Sequence, residues 1–281
     1  MSAKDNVVVL FFIERSGDEN TLYVYSKDHG ATWSEPVHIP MLTGRDDDQA
    51  QAMPGPGTAL ITSTDRVMFI AHHGVYTLDS VYYSDNLLGQ LLANEAITEA
   101  TVDWKMADSD FQYMDEGFLV ERSDGRIVAN MRHVLEGSLG KAVSVSSLPT
   151  VGEVLNFAAI TYDRKLYGPV CQANGVTGYT PNVMYFSNPR NKFVRKDTTV
   201  QVSYDDGKSF SKTRMPINND PSGGYSVMVP GNLIVGAEDG KNVGGIIFES
   251  TADTSTASVP PHVGDGAAIK WTYFEVPAAA A

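Results

Sequence analysis

Two stretches of the chain repeat one spacing: Ser26-Lys27-Asp28-His29-Gly30-Ala31-Thr32-Trp33 and Ser203-Tyr204-Asp205-Asp206-Gly207-Lys208-Ser209-Phe210. Both read S-x-D-x-G-x-[T/S]-[W/F], and both follow an alternating apolar run. The pattern has the chemistry of a stapled hairpin turn. An Asp carboxylate can accept hydrogen bonds from turn amides. Gly supplies the positive φ that a tight turn demands. The closing aromatic is expected to fold back between sheets, where its large apolar area is best used. A degenerate third copy begins at Ser84-Asp85-Asn86.

Outward from these turns, short apolar and β-branched runs alternate with Gly, Asp, Asn and Pro, the pattern of an all-β chain. Strands are expected near Val7–Ile13, Leu22–Ser26 and Val37–Pro40, then Thr58–Ile61, Val67–Ala71 and Ser80–Ser84. A third group is Gly117–Glu121, Ile127–Met131 and Ala142–Ser146, with a less regular stretch through Thr161. A fourth holds Val183–Ser187 and Thr199–Ser203, and the last Tyr225–Val229, Leu233–Val235, Gly245–Glu249 and Ile269–Phe274. One helix is expected, within Asn86–Ala100. Five such groups fit a β-propeller or a β-sandwich equally well by pattern alone. The repeated turn resembles the Asp-box, a motif found in propellers of several families, and that likeness weighs toward the propeller.

Composition excludes some functions. The chain has 281 residues, 42% of them hydrophobic and 20% charged, enough apolar material for one large β domain. A formal net charge of -13 disfavours nucleic acid and acidic membranes as partners. An anionic small molecule would need a local pocket of arginines set against that field. The single cysteine, Cys171, permits no internal disulfide and reads as a small core residue. The polar start Met1–Asn6 lacks an apolar leader core, and no apolar run nears the roughly 18–20 residues of a membrane span, so the chain as written reads as cytoplasmic. His72-His73 lie on opposite faces of any strand, and Asp46–Asp48 lacks the Gly and closing Glu of a calcium loop, so neither metal nor cofactor is expected.

Beyond the boxes, motifs from about Val7 to Phe274 resemble the sialidases, glycoside hydrolases that act on terminal sialic acids. Met114-Asp115-Glu116-Gly117-Phe118, continuing to Asn130-Met131-Arg132, is similar to the family strands that carry a catalytic glutamate and end in N-x-R. Tyr185-Phe186-Ser187-Asn188-Pro189, then Arg195 and Thr199-Val200-Gln201-Val202-Ser203, resembles the block FSNP…R…TVxVS, with Arg190 a competitor for Arg195. Gly224-Tyr225-Ser226 resembles the Y-S nucleophile site, and Gly245-Ile246-Ile247-Phe248-Glu249 the strand G-L-L-Y-E. Pro54-Gly55-Pro56-Gly57 and Pro169-Val170-Cys171-Gln172 resemble two further segments. Ile13-Glu14-Arg15 and Asp18-Glu19-Asn20 resemble the region before the first box.

The resemblance implies an all-β, sialidase-type β-propeller over residues 1–277, with a frayed tail Ala278–Ala281. It implies Tyr225 as nucleophile, Glu116 as its general base and Asp18 as acid/base. Arg132 and Arg195 would bind the substrate carboxylate, helped by Arg15, with Glu249 supporting the arginines and Glu121 merely structural. Sialylated glycoconjugates are the implied partners. These residue types suit the reaction. The target carbon bears a carboxylate, so a neutral phenol can approach where a carboxylate nucleophile would be repelled. Forming a free phenolate at pH 7 would add about 4 kcal/mol, which a base such as Glu116 relieves by taking the proton during attack. The resulting double displacement retains anomeric configuration. Arginine's planar fork pairs with a carboxylate through two bonds.

Two features depart from the family. Its first arginine strand, R-I-P, is absent, and a charge-assisted hydrogen bond contributes roughly 1.5–3 kcal/mol, so binding would weaken roughly ten- to a hundredfold. Between Pro40 and Pro54, where the family carries another blade, stands only Met41–Met53, so about five blades are expected against the family's six. Three readings follow: an exo-α-sialidase, a glycan-binding propeller without turnover, or a structural Asp-box protein.

Overall fold

The computed structural model describes residues 6–14, 20–40, 52–73, 78–108, 111–133, 141–150, 152–178, 180, 182–210, 213–219, 224–230, 243–251 and 267–275. The expected strand Leu233–Val235, the segment Met41–Gln51, Arg15, Asp18 and the tail Ala278–Ala281 lie outside these residues.

Five antiparallel sheets follow one another along the chain. The first joins β1 (Val8–Glu14), β2 (Asn20–Ser26) and β3 (Val37–His38). The second holds β4 (Met53–Pro54), β5 (Leu60–Ile61), β6 (Val67–His73), β7 (Leu78–Ser84), β8 (Lys105–Met106) and β9 (Phe111–Gln112), with α1 (Leu87–Leu92) between β7 and β8. The third is the meander β10 (Met114–Glu121), β11 (Ile127–His133), β12 (Lys141–Val145) and β13 (Thr161–Asp163). The fourth is β14 (Asn174–Thr177), β15 (Met184–Pro189), β16 (Thr198–Ser203) and β17 (Arg214–Asn218), and the fifth β18 (Ser226–Pro230), β19 (Val243–Thr251) and β20 (Ala267–Glu275). All five expected groups are present. The helix is shorter than expected: it buries Leu87, Leu88 and Leu91 and is closed by Asn94 at φ +56, whose amide donates to the Leu91 carbonyl while that of Glu95 donates to the Gln90 carbonyl.

By packing, the chain divides into two compact units, residues 1–129 with 144–160 and residues 130–143 with 161–281. In the first unit the core lies between the first two sheets. Phe11 stacks on Phe69 at 4.4 Å between ring centroids, Phe69 on Tyr82 at 5.1 Å, and Trp104 meets Phe11, Tyr23 and Phe69 edge-on. Burial pushes the Tyr23 phenol's pKa well up, so it stays neutral. In the second unit Val176, Tyr185, Val200 and Val202 of the fourth sheet pack on Met228, Ile246, Phe248 and Phe274 of the fifth. Each such side chain contributes roughly 1.5–3 kcal/mol when fully buried.

The two repeated turns adopt one geometry. Ser26 Oγ accepts from the Gly30 amide at 2.8 Å and donates to Asp28 Oδ1 at 2.7 Å. Asp28 accepts from the Thr32 amide (2.8 Å) and hydroxyl (2.6 Å). Ser203, Asp205, Gly207 and Ser209 repeat these four bonds at the same distances. Each turn needs positive φ twice, at His29 and Gly30 and at Asp206 and Gly207. Bonds from Thr32 and Ser26 hold the Asp28 carboxyl down at a pKa of about 2. Phe210 folds back edge-on to Phe186 as expected, whereas Trp33 stays 43% exposed. At the third turn the carboxylate comes from a distant residue. Asn86 stands at the box Asp position and its Oδ1 accepts from Ser84 Oγ at 3.1 Å, while Asp103 Oδ1 accepts from Ser84 Oγ and from the amides of Asp85 and Asn86; Asp85, at the variable position, pairs with Arg66 and Lys105.

Candidate functional site

In the second unit, Tyr225 immediately precedes β18 and is half-buried. Its backbone is clamped by Glu249 of β19. The Tyr225 amide donates to Glu249 Oε2 at 3.0 Å, and the Glu249 amide donates to the Tyr225 carbonyl at 3.0 Å. Two guanidinium groups reach the phenol. Arg132, buried near the end of β11, donates through Nη1 to Tyr225 Oη at 3.4 Å. Arg195, in the turn between β15 and β16, lies with Cζ 5.7 Å from the ring centroid, within cation–π range. Four of the expected residues, Arg132, Arg195, Tyr225 and Glu249, therefore meet at one place. The competitor Arg190 is committed elsewhere, stacked on Tyr167 at 4.0 Å with Nε donating to Gln201 Oε1.

The local chain explains the convergence. Gly224 has φ +93, and a Cβ there would lie 2.7 Å from Cys171 Sγ and 3.2 Å from Arg195 Cβ and Cδ. Only glycine lets the backbone before Tyr225 approach both neighbours while holding that dihedral. The segment Val170–Asn174 backs the site. The Val170 carbonyl accepts from Arg195 Nη2 at 3.4 Å and the Cys171 carbonyl from the buried Lys141 Nζ at 2.6 Å. Lys141 carried no sequence signal, because a lysine whose ammonium donates to a backbone carbonyl matches no spacing rule.

Glu116 lies in the first unit, 8% exposed, near the start of β10. Its φ is +46, in the left-handed region that costs an L-residue roughly 1–2 kcal/mol. Such stored strain in a non-glycine residue is a pointer to function. Gly117 follows because β10 crosses β6 closely: a Cβ would stand 2.5 Å from Ile70 Cδ1. Beside it, Asp115 Oδ1 is 3.5 Å from His72 Nδ1, and Asp79 of β7 is wholly buried. Burial, then the neighbouring Asp115 and Glu116 charges, push the Asp79 carboxyl's pKa well above its ordinary value. Asp79 was not legible in the sequence, since nothing marks one strand aspartate among 34 acidic residues. Glu121 holds the Ser63 amide and hydroxyl at 2.7 and 2.6 Å, a structural role.

Among the described residues no group of three or more His, Cys, Asp or Glu side chains could hold a metal ion. Among them, too, no helix is long and apolar enough to cross a membrane. Arg15 and Asp18 lie outside the described residues.

No protein-family model matches the chain. Solved structures do. A Hadza microbial sialidase, Hz136, is similar at TM-score 0.61 and 20% identity, over 86% of this chain and 43% of that one. The leech intramolecular trans-sialidase complexed with 2,7-anhydro-Neu5Ac is similar at TM-score 0.63 and 16% identity, over 90% of this chain and 36% of that one. The NanB sialidase from Streptococcus pneumoniae follows at TM-score 0.59 and 17% identity, over 82% and 32%. The chain thus spans less than half the length of these structures. At such identities the likeness is one of fold: the chain is all-β, its five sheets being blades of a sialidase-type β-propeller.

Proposed function

We propose that the chain is an exo-α-sialidase, hydrolysing terminal sialic acid glycosides by double displacement on Tyr225. The observation that carries this reading is the phenol of Tyr225 within 3.4 Å of the Arg132 guanidinium, with Arg195 against its ring. In a chain of net charge -13, two arginines gathered at one half-buried tyrosine make a local anion site. A sugar carboxylate is the ligand that such planar donors fit.

In this reaction Arg132 and Arg195, helped by Arg15, hold the substrate carboxylate beside Tyr225. The phenol attacks the anomeric carbon as a general base takes its proton, the role the family resemblance gives Glu116, while the resemblance gives Asp18 the part of protonating the departing oxygen. The glycosyl–tyrosine ether then forms, and water activated by Asp18 cleaves it, returning the proton to Tyr225 through Glu116 with net retention. Glu249 keeps the Tyr225 backbone fixed through both steps. The two repeated turns serve the same reading as Asp-boxes that staple their blades.

The test is release of fluorophore from a 4-methylumbelliferyl sialoside by the purified chain and by Tyr225→Phe. Wild-type release with a retained anomer as first product, and a loss of a thousandfold or more in Tyr225→Phe, is expected, about 4 kcal/mol of transition-state stabilisation. A wild-type chain that binds sialic acid without release, or a Tyr225→Phe variant of unchanged kcat/KM, overturns it.

A further inference from the structure

The backbone entering β18 is held on its second edge by side chains, where a neighbouring strand would ordinarily supply the bonds. The Ser226 amide donates to Gln172 Oε1 at 3.1 Å, and Gln172 Nε2 donates to the Ser226 carbonyl at 3.1 Å. Two residues on, the Met228 amide donates to Asn174 Oδ1 at 2.9 Å. Gln172 and Asn174 thus occupy the places of a strand's C=O and N–H groups, and both are wholly buried. A third contact, Ser187 Oγ to Ser226 Oγ at 2.8 Å, fixes the same residue from β15.

We infer that Gln172 is the positioning residue for Tyr225: its amide locks Ser226, the next residue, so that the phenol stays aimed at Arg132 and Arg195. This inference rests on the reading of Tyr225 as nucleophile. On the opposite edge Glu249 already holds Tyr225 through two bonds. With one edge alone fixed, the strand end can pivot about β19. With both fixed, it cannot. The Gln172 amide is suited because it offers an acceptor and a donor at the separation of a peptide unit. A methionine of similar length would fill the space and make neither bond. The amide and carbonyl of Ser226 would then be buried without partners. The same segment carries Val170 and Cys171, whose carbonyls hold Arg195 and Lys141, so the nucleophile and one arginine share a single support. Gln172 acts through Ser226, and its loss is expected in turnover rather than in carboxylate binding. A misplacement of about 1 Å at a reacting atom can cost about a hundredfold in rate.

The experiment compares wild type, Gln172→Met and Tyr225→Phe by steady-state kinetics on the fluorogenic sialoside. In parallel, NMR of the chain labelled with 13Cζ-tyrosine reports on the Tyr225 signal, which Tyr225→Phe identifies by its disappearance. Expected in Gln172→Met is a kcat lowered ten- to a hundredfold with KM within about threefold of wild type, and a shifted or broadened Tyr225 signal while the other tyrosines are unmoved. Should Gln172→Met fail to fold, Gln172→Glu, which keeps the length and the acceptor for the Ser226 amide, takes its place, with a smaller loss in the same direction. A folded variant with wild-type kcat and an unmoved Tyr225 signal overturns the inference, as does a raised KM at unchanged kcat. If wild type shows no turnover, the sialidase reading fails on its own. The Tyr225 signal then still decides: moved in the variant it supports the positioning role, unmoved it refutes it.

Discussion

Replacing Asp79 by asparagine is expected to stabilise the first unit, by an amount that grows with pH. Asp79 is 0% exposed on β7, cross-strand from His72 of β6 and from Phe111 of β9, and neither carboxyl oxygen has a hydrogen-bond partner among the described residues. The acidic Asp115 and Glu116 of β10 lie near it, and His72 is engaged with Asp115. Burial first, and those two carboxylates second, raise its pKa in the folded chain. The sign follows from linkage. Above the unfolded carboxyl pKa of about 3.9 the unfolded chain has released this proton and the folded chain has not, so rising pH favours unfolding. Each pH unit costs wild type about 1.4 kcal/mol relative to a variant without the group, until the buried carboxyl itself ionises and the difference levels off. The amide introduced by Asp79→Asn would itself be buried with poor partners, but that cost does not change with pH. The slope therefore isolates the carboxyl. The assay is urea unfolding of wild type and Asp79→Asn at half-unit steps from pH 4 to 8, plotting the difference in unfolding free energy. A difference that stays flat would refute the reasoning. So would one that favours wild type as pH rises, which would mean that Asp79 is ionised and paired.

Gly224→Ala is expected to destabilise the second unit by about 1–3 kcal/mol, because it forces a Cβ onto Cys171 Sγ at φ +93, and, on the proposed sialidase reading, to lower kcat/KM at least tenfold by displacing Tyr225. Thermal unfolding and the fluorogenic assay read the two effects, and a variant with wild-type melting would show that the loop relaxes freely. Asp205→Ala is expected to cost about 1–2 kcal/mol, three bonds to a charged acceptor discounted for its half-exposed setting. Partial burial raises the Asp205 pKa, but bonds from Ser209 and Ser203 outweigh this and hold it below the ordinary range. Its contribution is therefore present above about pH 4, where the unfolded carboxyl is ionised, and is lost as pH falls through the lower folded value. Equal acid unfolding of variant and wild type would contradict it.

Much of the fold was legible along the chain because it is local. Bonds between Ser26, Asp28, Gly30 and Thr32 span at most four residues, so their spacing is written directly in the sequence and repeats at Ser203–Ser209. Strand alternation is equally local, and it located all five sheets. Where the partner was distant, the reading failed. The third turn draws its carboxylate from Asp103, 19 residues after Ser84, and so looked degenerate. The helix is shorter than expected because Asn94, at φ +56, ends it, with the Asn94 amide donating to the Leu91 carbonyl and the Glu95 amide to that of Gln90, a stop that an apolar-periodicity reading passes over.

The sequence by itself determined a chain of hairpin-stapled β-meanders, and, through ordered motifs, which tyrosine and arginines to watch. That Arg132 reaches Tyr225 across 93 residues, that Arg190 turns away to Tyr167 while Arg195 does not, and that Gln172 and Asn174 stand in for a strand were decided only by tertiary structure. The physical reason is range. A turn or a strand is fixed by neighbours within a few residues. The direction of a guanidinium and the pairing of a buried amide depend on how β11 of the third sheet and the fourth and fifth sheets pack, and no residue spacing records that.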